Sequence, residues 1–450
     1  MTGFPRGKPK LVVAGGTGQA LSTAVLTLGD LGYDLTVIGR RPLGQLQRAT
    51  LFARRNVRYE ALDLFARQRQ ARVRELAASA DIFVMGAEPH VIDNAGRLEA
   101  ALRGVTRVYS TLHSAGYTTK DNEARRRSGT WPKRVVRIGS SPAEIPYDGR
   151  LPRGAFLEDT VSLDDLQQRA AADSNWQNQY FQVKVRCATL ARQAAANGLD
   201  LVTAAPTAVI SWAGDRGDEE PIVQVRRSLA RGPAPFLPSA LANAVPGDIV
   251  GRGIMLAALA GATGEVYQLA GVDLQSAEPV RYLLTVIGED APALRVYSRE
   301  ALNRQVRLLR GDAFARSARD VAEYGSRAIS NAGMLWTSAL SLGLLTPLVM
   351  AKIAADAVAG SARAARNLYE QAETLAMRAI GIRDWQVAIL AEMQSRRAGK
   401  VRGLNAAVAG TRFANMAYPS DASLGRQMAG ALRRQAAWLA QRGLIPGRRP

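Results

Sequence analysis

The feature that most constrains this 450-residue chain lies within its first three dozen residues. Leu11-Val12-Val13-Ala14 is a short apolar run suited to a strand buried on both faces. Gly15-Gly16-Thr17-Gly18-Gln19-Ala20-Leu21 comes next, and an apolar-periodic segment then runs to Leu31. A strand, a glycine turn and a helix in that order form the setting in which backbone can wrap a dinucleotide. Gly15 is expected to make the tight turn and Gly18 to let backbone approach a pyrophosphate, with Thr17 and Gln19 completing the loop. The helix N-terminus adds amide donors and the positive end of its dipole. Leu21, beside Ala20, stands where a third glycine is usual, so the packing of helix on strand must differ there.

The next hundred residues repeat the strand-then-turn pattern. Asp34 to Ile38 reads as a second strand and ends in Gly39-Arg40-Arg41-Pro42. An acid at such a strand end would hold the ribose 2′-hydroxyl of NAD, whereas arginine suits the 2′-phosphate of NADP. Arg40 and Arg41 therefore point to NADP(H). Val57 to Leu62 is a third strand ending at Asp63, and Ile82 to Met85 a fourth running into Gly86-Ala87. Val105 to Ser110 reads as a fifth, ending in Thr111-Leu112-His113-Ser114, with helical patterns at Ala66–Ser79 and Val91–Arg103. Strands alternating with helices of this length predict an α/β fold, a doubly wound parallel Rossmann sheet with ligands at the strands' C-terminal ends.

Composition narrows the partners. Lysine and arginine together number 59 against 39 acids, a formal charge of +20. Only seven of the 59 are lysines, and no long basic run occurs, so the surplus does not point to nucleic acid. A single cysteine, Cys187, fits a reducing compartment, and two histidines (His90 and His113) speak against a zinc site of the usual kind. The first ten residues carry positive charge but no apolar core, so a cytoplasmic location is expected.

The region from Thr118 to about Thr160 reads mostly as loop, interrupted by one short strand-like run, Val135 to Ile138, which ends in Gly139-Ser140-Ser141. A helix then opens near Asn178 and stops at Asn197-Gly198. It carries Tyr180 and Lys184, one turn apart and so on one face. An ammonium there favours the phenolate and brings the hydroxyl toward the working range of a general acid, and it can also bind a ribose. Lys184 is conspicuous as the only lysine between Lys133 and Lys352.

Strand–GGTG–helix, the basic end of strand two, Asp63, Met85-Gly86-Ala87 and the Tyr180–Lys184 pair occur in the order that resembles short-chain dehydrogenase/reductases. The extended branch, with its sugar-nucleotide epimerases, 3β-hydroxysteroid dehydrogenases and acyl reductases, is the most similar. Ala205-Pro206-Thr207, Val245-Pro246-Gly247-Asp248-Ile249-Val250 and Gly264 to Leu269 add to the likeness, which spans about residues 10–285. The resemblance implies that Asp63 contacts adenine, Gly86 and Ala87 lie along the cofactor ribose, and Pro206 lies against the carboxamide. It also implies Tyr180 as the proton donor or acceptor and Lys184 as the ligand of the nicotinamide ribose. The serine that polarises the substrate carbonyl is open. Ser141, with Ser140 before it and Tyr147 after it, matches best; Ser114 or His113, ahead of Tyr117, is held in reserve.

Residues 8–285 are thus expected to form an NADP-binding domain with a small substrate-binding subdomain, and 286–450 a mostly helical C-terminal region. Residues 328–351 contain no charge, which suits a buried core helix or a peripheral membrane contact. The expected activity is NADPH-dependent reduction of a ketone, or oxidation of the matching alcohol, on a small lipophilic or acyl-carrier-bound substrate. A sugar-nucleotide epimerase or dehydratase and an inactive nucleotide-binding scaffold are the alternatives. The oligomeric state stays open, with a dimer among the options.

Overall fold

The computed structural model describes residues 4–18, 20–40, 43–89, 95–139, 176–214, 237–238, 241–275, 296–297 and 398–443. Its centre is a seven-stranded parallel sheet with strand order β10-β6-β5-β4-β1-β2-β3. These strands are Leu11–Ala14 (β1), Leu35–Gly39 (β2), Val57–Ala61 (β3), Ile82–Met85 (β4), Arg134–Ile138 (β5), Leu201–Pro206 (β6) and Val266–Leu269 (β10). The chain leaves β1 toward β2 on one side and returns on the other at β4. The crevice at their C-terminal ends is therefore the topological switch point of a doubly wound Rossmann sheet.

Each central strand is buried on both faces, and alternate residues feed two separate cores. Leu11, Val13, Val37, Val84, Val136 and Val202 meet helices Ser22–Asp30 (α1) and Gly247–Ala260 (α7). Val12, Ala14, Phe83, Met85, Val135 and Leu201 meet Gln70–Ser79 (α3), Ala95–Ser114 (α4) and Trp176–Ala196 (α6). Gln45–Leu51 (α2) follows β2, and Thr119–Arg127 (α5) leads back toward β5. A three-stranded sheet has the order β11-β9-β7, from Val272–Gln275 (β11), Leu241–Pro246 (β9) and Ala208–Ile210 (β7). Leu237–Pro238 (β8) pairs in parallel with Val296–Tyr297 (β12).

One expected strand is a helix. Val105 to Ser110 lies inside α4, and the buried set Leu98, Leu102, Val105, Val108, Tyr109 and Leu112 follows helical spacing. Two β-branched valines three residues apart gave the segment a strand-like appearance, but its period is that of a helix seated on the sheet. The fifth strand of the sheet is instead Arg134–Ile138.

Residues 398–443 are helical, with Gly399–Gly403 (α8), Asn405–Val408 (α9) and Asp421–Gln441 (α10). They close the α1–α7 side of the sheet. Val401, Phe413, Tyr418, Leu424 and Trp438 are buried in the same core as β1 and α1. The Tyr418 hydroxyl donates to the Ala270 carbonyl at 2.8 Å, and Trp438 Nε1 donates to the Gly214 carbonyl at 3.3 Å. The expected boundary at 285/286 and the uncharged 328–351 stretch lie outside the described residues. Among the described residues, no helix is long and apolar enough to cross a membrane.

Candidate functional site

At the switch point two turns touch. Gly15 adopts φ +77°, and a Cβ on it would lie 2.9 Å from the Ala87 amide nitrogen and from the Gly86 carbonyl carbon. Only glycine accommodates both that backbone conformation and that approach. The Gly15 amide donates to the Ile38 carbonyl at 2.8 Å, and the Gly86 amide to the Ala14 carbonyl at 3.0 Å, so both turns are anchored to the sheet. Gly18 then turns the chain into α1, its carbonyl accepting from Leu21 at 3.2 Å and from Ser22 at 2.9 Å.

The missing third glycine has a structural answer. A Cβ on Gly86 would lie 2.1 Å from Leu21 Cδ1. The room that a small residue on α1 would have left is supplied by the turn after β4, and Leu21 fills it.

The other expected nucleotide contacts lie around these turns. The Thr17 carbonyl accepts from Gln47 Nε2 of α2 at 3.1 Å, which ties the loop to the second helix. Arg40 is exposed just past the C-terminal end of β2. Asp63 is exposed beyond β3, where its Oδ1 accepts from the Phe65 amide at 3.0 Å. Pro206 ends β6 and is buried. Beside it, among the described residues, the buried Thr207 Oγ1 has no hydrogen-bond partner. Gln19 and Arg41 lie outside the described residues.

The most charged part of the site is one that sequence reasoning missed. Lys184 Nζ, on α6, donates to Glu88 Oε2 at 2.7 Å, and Arg137 Nε, on β5, donates to Glu88 Oε1 at 2.7 Å. The side chains of Glu88, Arg137 and Lys184 are 1%, 0% and 11% exposed. Burial alone would push the Glu88 carboxyl up; the charges of Arg137 and Lys184 and their hydrogen bonds overturn that and hold it below the ordinary carboxylate range. Two signals pointed here: an arginine within an apolar strand run must find a buried acceptor, and an acid stands directly after Gly86-Ala87.

Tyr180 lies on α6 one turn before Lys184; its side chain is outside the described residues, as are Ser140 and Ser141. Ser114 and His113 are corrected. They sit at the exposed C-terminal end of α4, where Ser114 Oγ donates to the Ser110 carbonyl at 2.9 Å. That end lies by the N-terminal edge of the sheet, since Tyr117 accepts at its carbonyl from Asp200, which immediately precedes β6. Neither residue can polarise a substrate at the opposite edge.

These residues fit a dinucleotide. A glycine cradle that a Cβ would fill, a helix N-terminus behind it, a buried lysine beside it and an orphaned hydroxyl at the end of β6 converge on one crevice.

No protein-family model matches the chain, and no curated protein matches it. Solved structures do. A nucleoside-diphosphate-sugar epimerase from Pseudomonas aeruginosa is similar at 22% identity, over 68% of this chain and 85% of its own, with a TM-score of 0.46. A double mutant of DesIV, a dTDP-glucose 4,6-dehydratase from Streptomyces venezuelae solved with NAD bound, is similar at 21% identity, over 64% and 84%, with a TM-score of 0.44. The Bordetella bronchiseptica enzyme WbmF, in complex with NAD+, is similar at 17% identity, over 64% and 82%, with a TM-score of 0.44.

Proposed function

We propose that the chain is a nicotinamide-dinucleotide-dependent oxidoreductase that uses NADP(H) and interconverts a ketone and an alcohol on a small lipophilic or carrier-bound substrate. The observation that carries this reading is the meeting of Gly15 with Gly86-Ala87 at the switch point, with the Lys184 ammonium held by Glu88, the next residue along. The nicotinamide, when bound, supplies or accepts the hydride. The chain's own residues do the rest. Backbone at Gly15–Gly18 and the start of α1 would receive the pyrophosphate, and Arg40 would hold the 2′-phosphate. Lys184 binds the nicotinamide ribose, and its charge favours the Tyr180 phenolate. Tyr180 gives its phenolic proton to the substrate oxygen in reduction and takes it back in oxidation. Ser141, after β5, holds the developing oxyanion.

Binding of NADPH and of NADH, followed by fluorescence, tests the cofactor half. Turnover on a panel of ketones and nucleotide sugars tests the chemistry. Tyr180→Phe is expected to bind NADPH like the wild type and to lose about 10²–10⁴-fold in turnover. Equal turnover in the two proteins overturns the mechanism, and absent dinucleotide binding overturns the reading as a whole.

A further inference from the structure

The Glu88–Arg137–Lys184 cluster contains two residues to which hydride transfer assigns no part, Glu88 and Arg137. Glu88 lies just beyond the Gly86-Ala87 turn, Arg137 near the C-terminal end of β5, and Lys184 on the helix covering that face. Three elements that build the crevice are thus joined through one carboxylate, by two hydrogen bonds of 2.7 Å. The carboxylate is out of contact with water and keeps its charge because of the cations on either side.

An ammonium on a four-carbon stem has many rotamers, and a ribose ligand has to be held in one. Glu88 takes one of the Lys184 donors and so restricts where the ammonium sits. It also sets a negative charge against the ammonium of Lys184, which stands one turn along α6 from Tyr180. Resting on the oxidoreductase reading, we propose that Glu88, anchored by Arg137, is a positioning residue that fixes the Lys184 ammonium beside the dinucleotide turns and tempers the charge felt by Tyr180.

Among the described residues, the neighbouring elements bring the following charged groups. α6 also carries Arg186 and Arg192, together with the buried Cys187. From α4, Glu99 pairs with Arg186 at 2.6 Å, with side chains 48% and 40% exposed, while Arg107 donates to the Phe65 carbonyl. Arg103 also lies on α4. β4 and β6 bring no titratable side chain.

The test needs no substrate. Phenolate absorbance is titrated against pH in a protein carrying Tyr180 and in its Tyr180→Phe partner, and the difference isolates one hydroxyl among the 12 tyrosines. This is done in the wild-type, Glu88→Gln, Arg137→Met and Glu88→Asp backgrounds. Loss of the negative charge in Glu88→Gln is expected to move the midpoint down by roughly one pH unit, and loss of a positive charge in Arg137→Met to move it up by a similar amount. Glu88→Asp keeps the charge on a shorter stem, so its midpoint stays near wild type while NADPH binding weakens by about tenfold. A merely structural cluster would not give shifts of opposite sign. An unmoved midpoint in Glu88→Gln, or shifts of the same sign in both variants, overturns the proposal. Should Glu88→Gln fail to fold, the Arg137→Met titration decides alone: an upward shift supports the proposal and no shift overturns it. NADPH and NADH titrations of the wild type run alongside, so that failure of dinucleotide binding, which sinks the functional reading, is distinguished from failure of the titrations, which sinks the role of Glu88.

Discussion

The two ends of β5 pose the same problem and solve it differently. Arg134 and Arg137 are both buried, three residues apart, and so point to opposite faces of the sheet. At the N-terminal end Arg134 Nε donates to Asp200 Oδ1 at 2.9 Å, while its Nη1 donates to the carbonyls of Ala258 at 3.2 Å and Gly261 at 2.6 Å. Asp200 also accepts from Asn122 Nδ2 and Thr263 Oγ1, each at 2.6 Å. That carboxylate takes neutral donors and the buried Arg134, with the half-exposed Arg126 3.6 Å from its other oxygen, and the network welds α5, β5, β6 and the α7–β10 turn. At the C-terminal end Glu88 is bound by two cations, one of them the lysine expected to meet a ligand. The network far from the crevice joins only structural elements, whereas the one at the crevice includes the lysine to which the proposed function gives the cofactor ribose.

The comparison breaks first on stability. Asp200→Ala leaves Arg134 buried without its counter-charge and is expected to cost about 3–5 kcal/mol in denaturant unfolding, with NADPH affinity of the folded fraction unchanged. A parallel loss of affinity would mean that the two ends are not independent. Next comes the crevice itself. Gly86→Ala drives a methyl group into Leu21 Cδ1 and within 3.0 Å of the Ala14 carbonyl, for an expected cost of about 1–3 kcal/mol and weakened dinucleotide binding. Pairing it with Leu21→Ala makes room again, so binding in the double variant should recover toward wild type. No recovery would show that the backbone, and not Leu21, is what resists.

The first ninety residues were the most legible because local and global signals agree there. β1 and β4 fall where short apolar runs meet glycine turns, and both are buried strands without competing periodicity. Val105 to Ser110 failed because β-branched residues can serve a helix whenever one face is buried, and only the longer pattern from Leu98 to Leu112 reveals the period. The site was half legible. Lys184 stood out by scarcity, but Arg137 is one of many arginines, and Glu88 carries no local signal beyond following a turn. Which carboxylate meets which cation depends on strand order, and no local pattern carries that. The same holds for residues 398–443, whose Ala- and Arg-rich helices gave no sign that Trp438 would reach the carbonyl of Gly214.

Acid then sharpens the contrast by a smaller amount. The folded-state carboxyl of Glu88 is held below its ordinary value of 4.5, so its contribution is fully present above that pH and is lost as pH falls through the lower, folded value. Unfolding free energy of the wild type should therefore decline more steeply below about pH 4.5 than that of Glu88→Gln, which has no carboxyl to protonate there. Parallel acid limbs would mean that Glu88 is not charged in the folded protein.

The smallest effect belongs to the exposed pair on the same helix. Arg186 and Glu99 join α6 to α4 at 2.6 Å, a contact as short as those of Glu88, yet both side chains stand in water. Solvent screening and the entropy of two long side chains leave such a pair worth about 0–1 kcal/mol. Arg186→Ala should then unfold within about 1 kcal/mol of wild type and leave the Tyr180 midpoint in place, although it removes a full charge two residues from Lys184. If instead it moves that midpoint as far as Glu88→Gln does, net charge on α6 governs the site, and the burial of Glu88 with Arg137 contributes nothing special to it.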